Sequence, residues 1–186
     1  MEEALFADIL IVGAGIAGLT TSLALHRLGI QSLVLESSES LRVTGFAISI
    51  WPNGWRALDA LGIGDSLRQQ HLCIDGLVAT STVTGETGAQ VSFKANGKRG
   101  DLDLYCLRRN LLIEALEREL PSGTIRYSSK VVSVEESGYL KVLHLVDGTM
   151  IKTKVKYTVA YLPLDDQLHI LISPGGISVI IFIVRT

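Results

Sequence analysis

The chain has 186 residues, 47% of them hydrophobic and 19% charged, with a formal net charge of −2, enough apolar material for one large domain or for one domain and part of another. The small negative charge, with no lysine or arginine stripe interleaved with aromatics, excludes an electrostatic nucleic-acid surface. Cys73 and Cys106 fit neither C-x-x-C nor metal spacing, and His26, His71, His144 and His169 are scattered, so neither a disulfide framework nor a metal site is expected.

The N-terminus, Met1-Glu2-Glu3, lacks the positive region of a secretory signal and the arginine-rich character of a transit peptide, so the cytoplasm is the expected location. The first element is an apolar run, Ile9 to Val12, read as a buried parallel strand. It feeds G-x-G-x-x-G at Gly13, Gly15 and Gly18, which opens an amphipathic helix, and Ala14, Ile16 and Ala17 between the glycines join them as candidate dinucleotide-binding residues. Gly29 ends that helix, Leu33 to Leu35 forms a second strand, and Glu36 closes the βαβ unit.

The residue types in that unit carry a chemistry. Gly13 permits the tight turn out of the strand, Gly15 lets a pyrophosphate approach the backbone, and Gly18 lets helix and strand pack closely. Unpaired N–H groups and the helix dipole at the helix start hold a diphosphate without a basic side chain. Glu36 can accept from ribose hydroxyls and repels a 2′-phosphate. A lone glycine-rich turn could be ligand-free. Strand, helix, Gly29 and Glu36 in register argue for a dinucleotide site, with an NAD-dependent Rossmann dehydrogenase still open at this point.

A polar linker from Ser37 to Thr44 carries Arg42, and after Gly45 comes a short strand, Ala47 to Ile50. Pro52 starts a helix with Trp55, Leu58 and Leu61 at helical spacing, and Gly62 stops it; Gly64 to Gln70 forms another short helix. Residues 76–107 read as strands, VATSTV and QVSFKA flanking Gly85 and Gly88, which makes a small inserted sheet. Arg109 to Leu120 is a helix with Leu112, Ala115, Leu116 and Leu120 on one stripe, closed by Pro121 and Gly123. The strand from Thr124 to Tyr127 then extends the first sheet in parallel. Lys130 to Glu136, Leu140 to Val146 and Met150 to Val155 follow as strands, the last two joined by the Asp147-Gly148 turn.

From Lys156 the chain becomes β-branched and nearly uncharged, with Pro174-Gly175-Gly176 between two apolar runs. Leu168 to Val184 is short for a spanning helix and interrupted by His169 and that turn, so no membrane anchor is expected.

Taken together these residues resemble the single-component FAD-dependent monooxygenases of the aromatic hydroxylase type, in particular the plant group related to zeaxanthin epoxidase and salicylate hydroxylase. The fit runs from about Asp8 to Val155. The resemblance implies that Gly13, Gly15, Gly18 and Glu36 bind the ADP half of FAD, with Ser22 where an alanine is usual. Leu41-Arg42-Val43-Thr44-Gly45 is similar to the family's L-R-x-x-G segment, whose arginine lies near the FAD. Pro52 to Gly62 is similar to the P-N-x-x-x-x-L-x-x-L-G helix beside the substrate region, and Arg109 matches the arginine of R-x-x-L-x-x-x-L. Arg42 reads equally well as a solvated loop charge, whereas Arg109 is favoured by register and Arg108 reads as a surface residue. Trp51 and Trp55 read as packing residues.

The implied fold is α/β: a doubly wound Rossmann-type FAD-binding sheet with an inserted small β-sheet, incomplete relative to the family. Residues 1–155 form the N-terminal part of an FAD-binding domain, with the insertion at about 76–107. Residues 156–186 form a divergent apolar tail, either a remnant of the substrate domain, suggested by Tyr161 to Gln167, or unrelated sequence. The implied function is an NAD(P)H-dependent monooxygenase of a small organic molecule, with FAD supplying the chemistry. No catalytic side chain is identified. The family's D-G and G-D-A-A-H motifs are not found, because Asp147-Gly148 is a hairpin turn, so an FAD-binding protein without activity stands beside the enzyme reading.

Overall fold

A computed structural model describes residues 5–41, 45–70, 72–93, 104–153 and 159–160. In chain order the first elements are β1 (Leu5–Ala7), β2 (Leu10–Val12), α1 (Ile16–Arg27), β3 (Leu33–Leu35), β4 (Ala47–Ile50), α2 (Pro52–Ala60) and α3 (Gly64–Gln69). Next come β5 (Leu72–Ile74), β6 (Gly76–Thr80), β7 (Thr87–Ser92), β8 (Leu104–Arg108) and α4 (Arg109–Arg118). The last are β9 (Ile125–Arg126), β10 (Val131–Ser137), β11 (Leu140–Leu145), β12 (Met150–Thr153) and β13 (Val159–Ala160). They divide into two compact units, residues 1–42 with 116–186, and residues 43–115.

The first unit is built on a parallel sheet of order β13-β2-β3-β9. Its central strands are apolar on both sides because both sides are covered. Leu10 and Leu35 face a core shared with Val131, Leu143, Leu145 and Ile151 of a second sheet, ordered β1-β12-β11-β10. Leu19 and Leu23 of α1, with Ile11 and Val34, are buried as well. Burying one such aliphatic side chain contributes about 1.5–3 kcal/mol, so these residues outweigh the surface ion pairs, such as that of Arg27 with Glu119.

Helix α1 ends as its sequence predicts. Gly29, at φ +74, donates its N–H to the His26 carbonyl, and Ile30 donates to Leu25, the paired bonds that a left-handed glycine after a helix permits. Past the far end of α4, Tyr127 O–H donates to Glu117 Oε1 at 2.7 Å.

The parallel strand expected after the Arg109 helix is present as β9, in register with β3 through Val34↔Ile125 and Leu35↔Arg126. Two features were not legible in the sequence. The lead-in Leu5 to Ala7 is a strand, paired in parallel with β12 at the other end of the domain. Val159 and Ala160 pair with Ile11 and Val12, which adds β13 to the sheet beyond Val155.

The second unit holds an antiparallel sheet, β4-β8-β5, and a separate ribbon of β6 and β7. The strands expected as one inserted sheet at 76–107 therefore fall into two, and β8 takes both partners from outside that range. The expected strand VATSTV ends early, at Thr80. Ser81 turns the chain because its Oγ accepts from the Thr84 N–H at 3.1 Å while the Gly85 N–H donates to the Ser81 carbonyl. The second strand begins at Thr87 rather than Gln90 and carries Gly88 within it.

Trp55 is a core residue, as expected. Its indole stands edge-on to Tyr105 at 5.1 Å and supports the Arg68 guanidinium at 4.5 Å, which in turn grips both Asp59 oxygens at 2.6 and 2.7 Å. Cys73 and Cys106 form no disulfide. In the β5–β8 register Cys73 lies opposite Tyr105, so the two cysteines are on opposite faces of the sheet. Among the described residues no helix is long and apolar enough to cross a membrane. The tail from Tyr161 onward lies outside the described residues.

Ser22, fully buried in α1, shares a hydrogen bond of 2.9 Å with Ser32. Ser32→Ala strands that hydroxyl, with an expected loss of about 1–2 kcal/mol in urea unfolding. Ser22→Ala/Ser32→Ala removes both partners and is expected to recover most of the loss. Equal stability of the single variant and the wild type would contradict this pairing.

Candidate functional site

The glycine loop leaves β2 at Gly13, whose φ of +99 turns the chain so that its N–H donates to the Leu35 carbonyl at 2.7 Å. Gly15 is the N-cap of α1, in extended conformation at φ −76 and ψ 177. No side chain caps this helix and no acidic residue lies in its first turn. The first intrahelical bond runs from the Leu19 N–H to the Gly15 carbonyl at 2.9 Å. The N–H groups of Ile16, Ala17 and Gly18 precede it, so they point out of the helix end with the positive pole of its dipole behind them.

The three glycines are required for different reasons. A Cβ on Gly18 would collide with the Gly13 carbonyl oxygen and approach Ile11 Cγ2 to 3.3 Å, so packing of α1 on β2 demands glycine there. Gly15 is exposed, and a Cβ on it would meet nothing within 4 Å. The fold does not need glycine at 15. Approach of an anion to the backbone does.

Glu36 sits where β3 ends, and its carboxylate is engaged by the protein itself. Oε2 accepts from the Ala14 N–H at 2.9 Å, and Oε1 accepts from the Ser38 N–H at 2.9 Å and the Ser37 hydroxyl at 3.2 Å. Burial pushes this carboxyl up. The hydrogen bonds from Ser38 and Ala14, with that of Ser37, outweigh burial and hold it below its ordinary value. The side chain is only half-buried, and a carboxylate has about four lone-pair directions, so acceptor capacity remains for a hydroxyl ligand. Sequence reasoning found Glu36 but not its bond to Ala14, although two serines directly after a strand-ending glutamate signal local donors.

Of the remaining predicted residues, Arg42 lies outside the described residues. In the second unit Arg109 begins α4, and a Cβ on Gly45, at φ +98, would come within 3.2 Å of Arg109 Cδ. The L-R-x-x-G glycine and the R-x-x-L arginine therefore adjoin. Trp51, by contrast, is half exposed and edge-on to Phe93 at 5.7 Å. Among the described residues no group of three or more His, Cys, Asp or Glu could hold a metal ion.

Residues 7–160 match a protein family described as the FAD binding domain, so the match continues past Val155 to the end of β13. The chain is 50% identical over 155 residues to Monooxygenase 2 of Arabidopsis thaliana, covering 83% of this chain and 37% of that protein. It is 46% identical over 157 residues to Monooxygenase 1 of the same plant, with the same two shares. The crystal structure of p-nitrophenol 4-monooxygenase PnpA from Pseudomonas putida DLL-E4 superposes with a TM-score of 0.72 at 21% identity, over 84% of this chain and 40% of that one. At that identity the likeness carries the fold alone. The chain thus spans less than two fifths of the length of the curated relatives it matches.

Because the Glu36 carboxyl is held low, its hydrogen bonds contribute stability that is present in full above the pH where an unfolded glutamate titrates, and that is lost as pH falls through the folded value. Glu36→Gln leaves one acceptor oxygen for donors that now use two. We expect a loss of about 1 kcal/mol at pH 7, measured by urea unfolding, and a smaller difference from wild type at pH 4, below the ordinary glutamate value, where the unfolded carboxyl already binds protons. An equal difference at both pH values would contradict the bridging role.

Proposed function

The chain belongs to the FAD-binding-domain family of flavoprotein monooxygenases, and from that premise we propose that it holds the ADP half of FAD at Gly13 to Gly18 and Glu36, within an NAD(P)H-dependent monooxygenase of a small organic substrate. The observation that carries this reading is the contrast between two glycines. Gly18 is required by the packing of the protein, while Gly15, one turn away, is required only if something approaches the backbone from outside. The donor set fits a dinucleotide, with first-turn N–H groups for a pyrophosphate and a carboxylate for ribose hydroxyls.

In this assignment the N–H groups of Ile16, Ala17 and Gly18 bind the pyrophosphate, and the Ala14 N–H holds Glu36 in place. Glu36 orients the ribose and, by its charge, rejects a 2′-phosphate. Arg42 and Arg109 join as cofactor contacts on the strength of their motif register. Bound FAD, reduced by NAD(P)H, supplies the activation of O₂ and the transfer of one oxygen atom to the organic substrate. The chain's own residues bind and orient the cofactor.

A second reading follows from where the donors lie. The described groups address the ADP half, so these 186 residues could bind FAD without turning over. The NAD-dependent dehydrogenase reading is set aside by family membership.

Purified protein is expected to be yellow and to release FAD, rather than FMN, on denaturation. Gly15→Val should abolish FAD and ADP binding in calorimetry while leaving Tm within about 2 °C of wild type, since a surface change away from contacts costs little. Binding retained in full by Gly15→Val would overturn the cradle assignment. NAD(P)H oxidation stimulated by phenolic or heteroaromatic substrates distinguishes the monooxygenase from the binding protein.

A further inference from the structure

Nine described residues have a left-handed backbone; eight are glycines and the ninth is Ser128, at φ +50. A side chain at such a φ is strained relative to glycine, and an observed strain of this kind points from structure to function. Every other described residue with this backbone is glycine, so serine at 128 calls for a reason beyond backbone geometry.

The surroundings of Ser128 supply one. Just past β9 the chain is laced to the end of β3. The Glu36 N–H donates to the Arg126 carbonyl at 2.9 Å, the Ser129 N–H donates to the Glu36 carbonyl at 2.7 Å, and the Ser128 N–H donates to the Ser38 carbonyl at 2.9 Å. Ser129 is buried, and its hydroxyl closes back on the Tyr127 carbonyl at 2.9 Å. The turn is therefore fixed on both sides, and Ser128 alone of the pair presents its side chain to the exterior.

Strand order then says what lies beside it. In the sheet β13-β2-β3-β9 the glycine loop follows β2, Glu36 follows β3, and Ser128 follows β9, all at the carboxyl edge. A nucleotide with its pyrophosphate on the first and its ribose on the second extends toward the third. We propose that the Ser128 hydroxyl is a specificity-determining contact to the base of the nucleotide, and that its left-handed turn is retained to present that hydroxyl. This rests on the cradle reading given above.

Ser128→Gly separates the two roles, because it keeps the backbone and relieves the strain while deleting the hydroxyl. Its Tm is expected at or above that of wild type, with ADP affinity about threefold to tenfold weaker in calorimetry, the range of one lost hydrogen bond. Ser128→Asn, which tolerates a left-handed backbone and offers hydrogen-bonding groups, should recover at least half of the lost binding free energy. Ribose 5-diphosphate, which lacks a base, should bind wild type and Ser128→Gly equally. ADP affinity unchanged or improved in Ser128→Gly overturns the proposal, as does equal weakening toward the base-free ligand. A wild type that binds neither FAD nor ADP overturns the cradle reading and this one with it, whereas a binding wild type with an unaffected glycine variant overturns this one alone.

Discussion

The bond from the Ala14 N–H to Glu36 Oε2 joins the glycine loop after β2 to the residue that ends β3, and the shape of the whole edge depends on it. The loop is also held by the Gly13 N–H on the Leu35 carbonyl. Together these bonds fix where α1 begins, so its first-turn N–H groups are aimed before any ligand arrives. Preorganised donors of this kind bind without ordering themselves first, which is where much of the cost of binding otherwise lies. The carboxylate's other oxygen anchors Ser37 and Ser38, and the main chain there is tied in turn to Ser128 and Ser129. One side chain thus connects three consecutive strand ends.

On the proposed function, fold and ligand make separate demands on neighbouring residues in this edge. Gly18 and Gly13 answer to packing and to backbone geometry, and would be glycine in a protein that bound nothing. Gly15 and Ser128 answer to neither, since the first has open space over it and the second would be less strained as glycine. The burial of Leu10, Leu35, Leu143 and Ile151 between the two sheets of this unit supplies the stability against which a strained serine and an uncapped helix are tolerated.

Much of this was legible in the sequence because its signals are local. The glycine spacing, Gly29 after α1, the Pro52 start and the Asp147-Gly148 turn each act within a few residues, and the elements they bound appear where expected. What was not legible depends on distant partners. β1 is three residues long and becomes a strand only by pairing with β12, and β13 is two residues that gain their identity from β2. The ribbon of β6 and β7 was misjudged at its turn because Ser81 caps the bend with its own hydroxyl, which ended the strand before the glycines did. Of the residues singled out in the sequence, the glycines and Glu36 stand at the loop and strand end expected of them, whereas the internal engagement of Glu36 and the left-handed Ser128 emerge only from the folded chain.

In the proposed function the outward-facing N–H groups of the first turn of α1 are the ligand-binding groups of this chain. Amide-resolved NMR during titration with ADP measures that directly. The largest shifts are expected at Gly15, Ile16, Ala17 and Gly18, with a second group at Glu36 to Ser38. Shifts centred elsewhere on the molecule, with these amides unmoved while ADP binds, would contradict it.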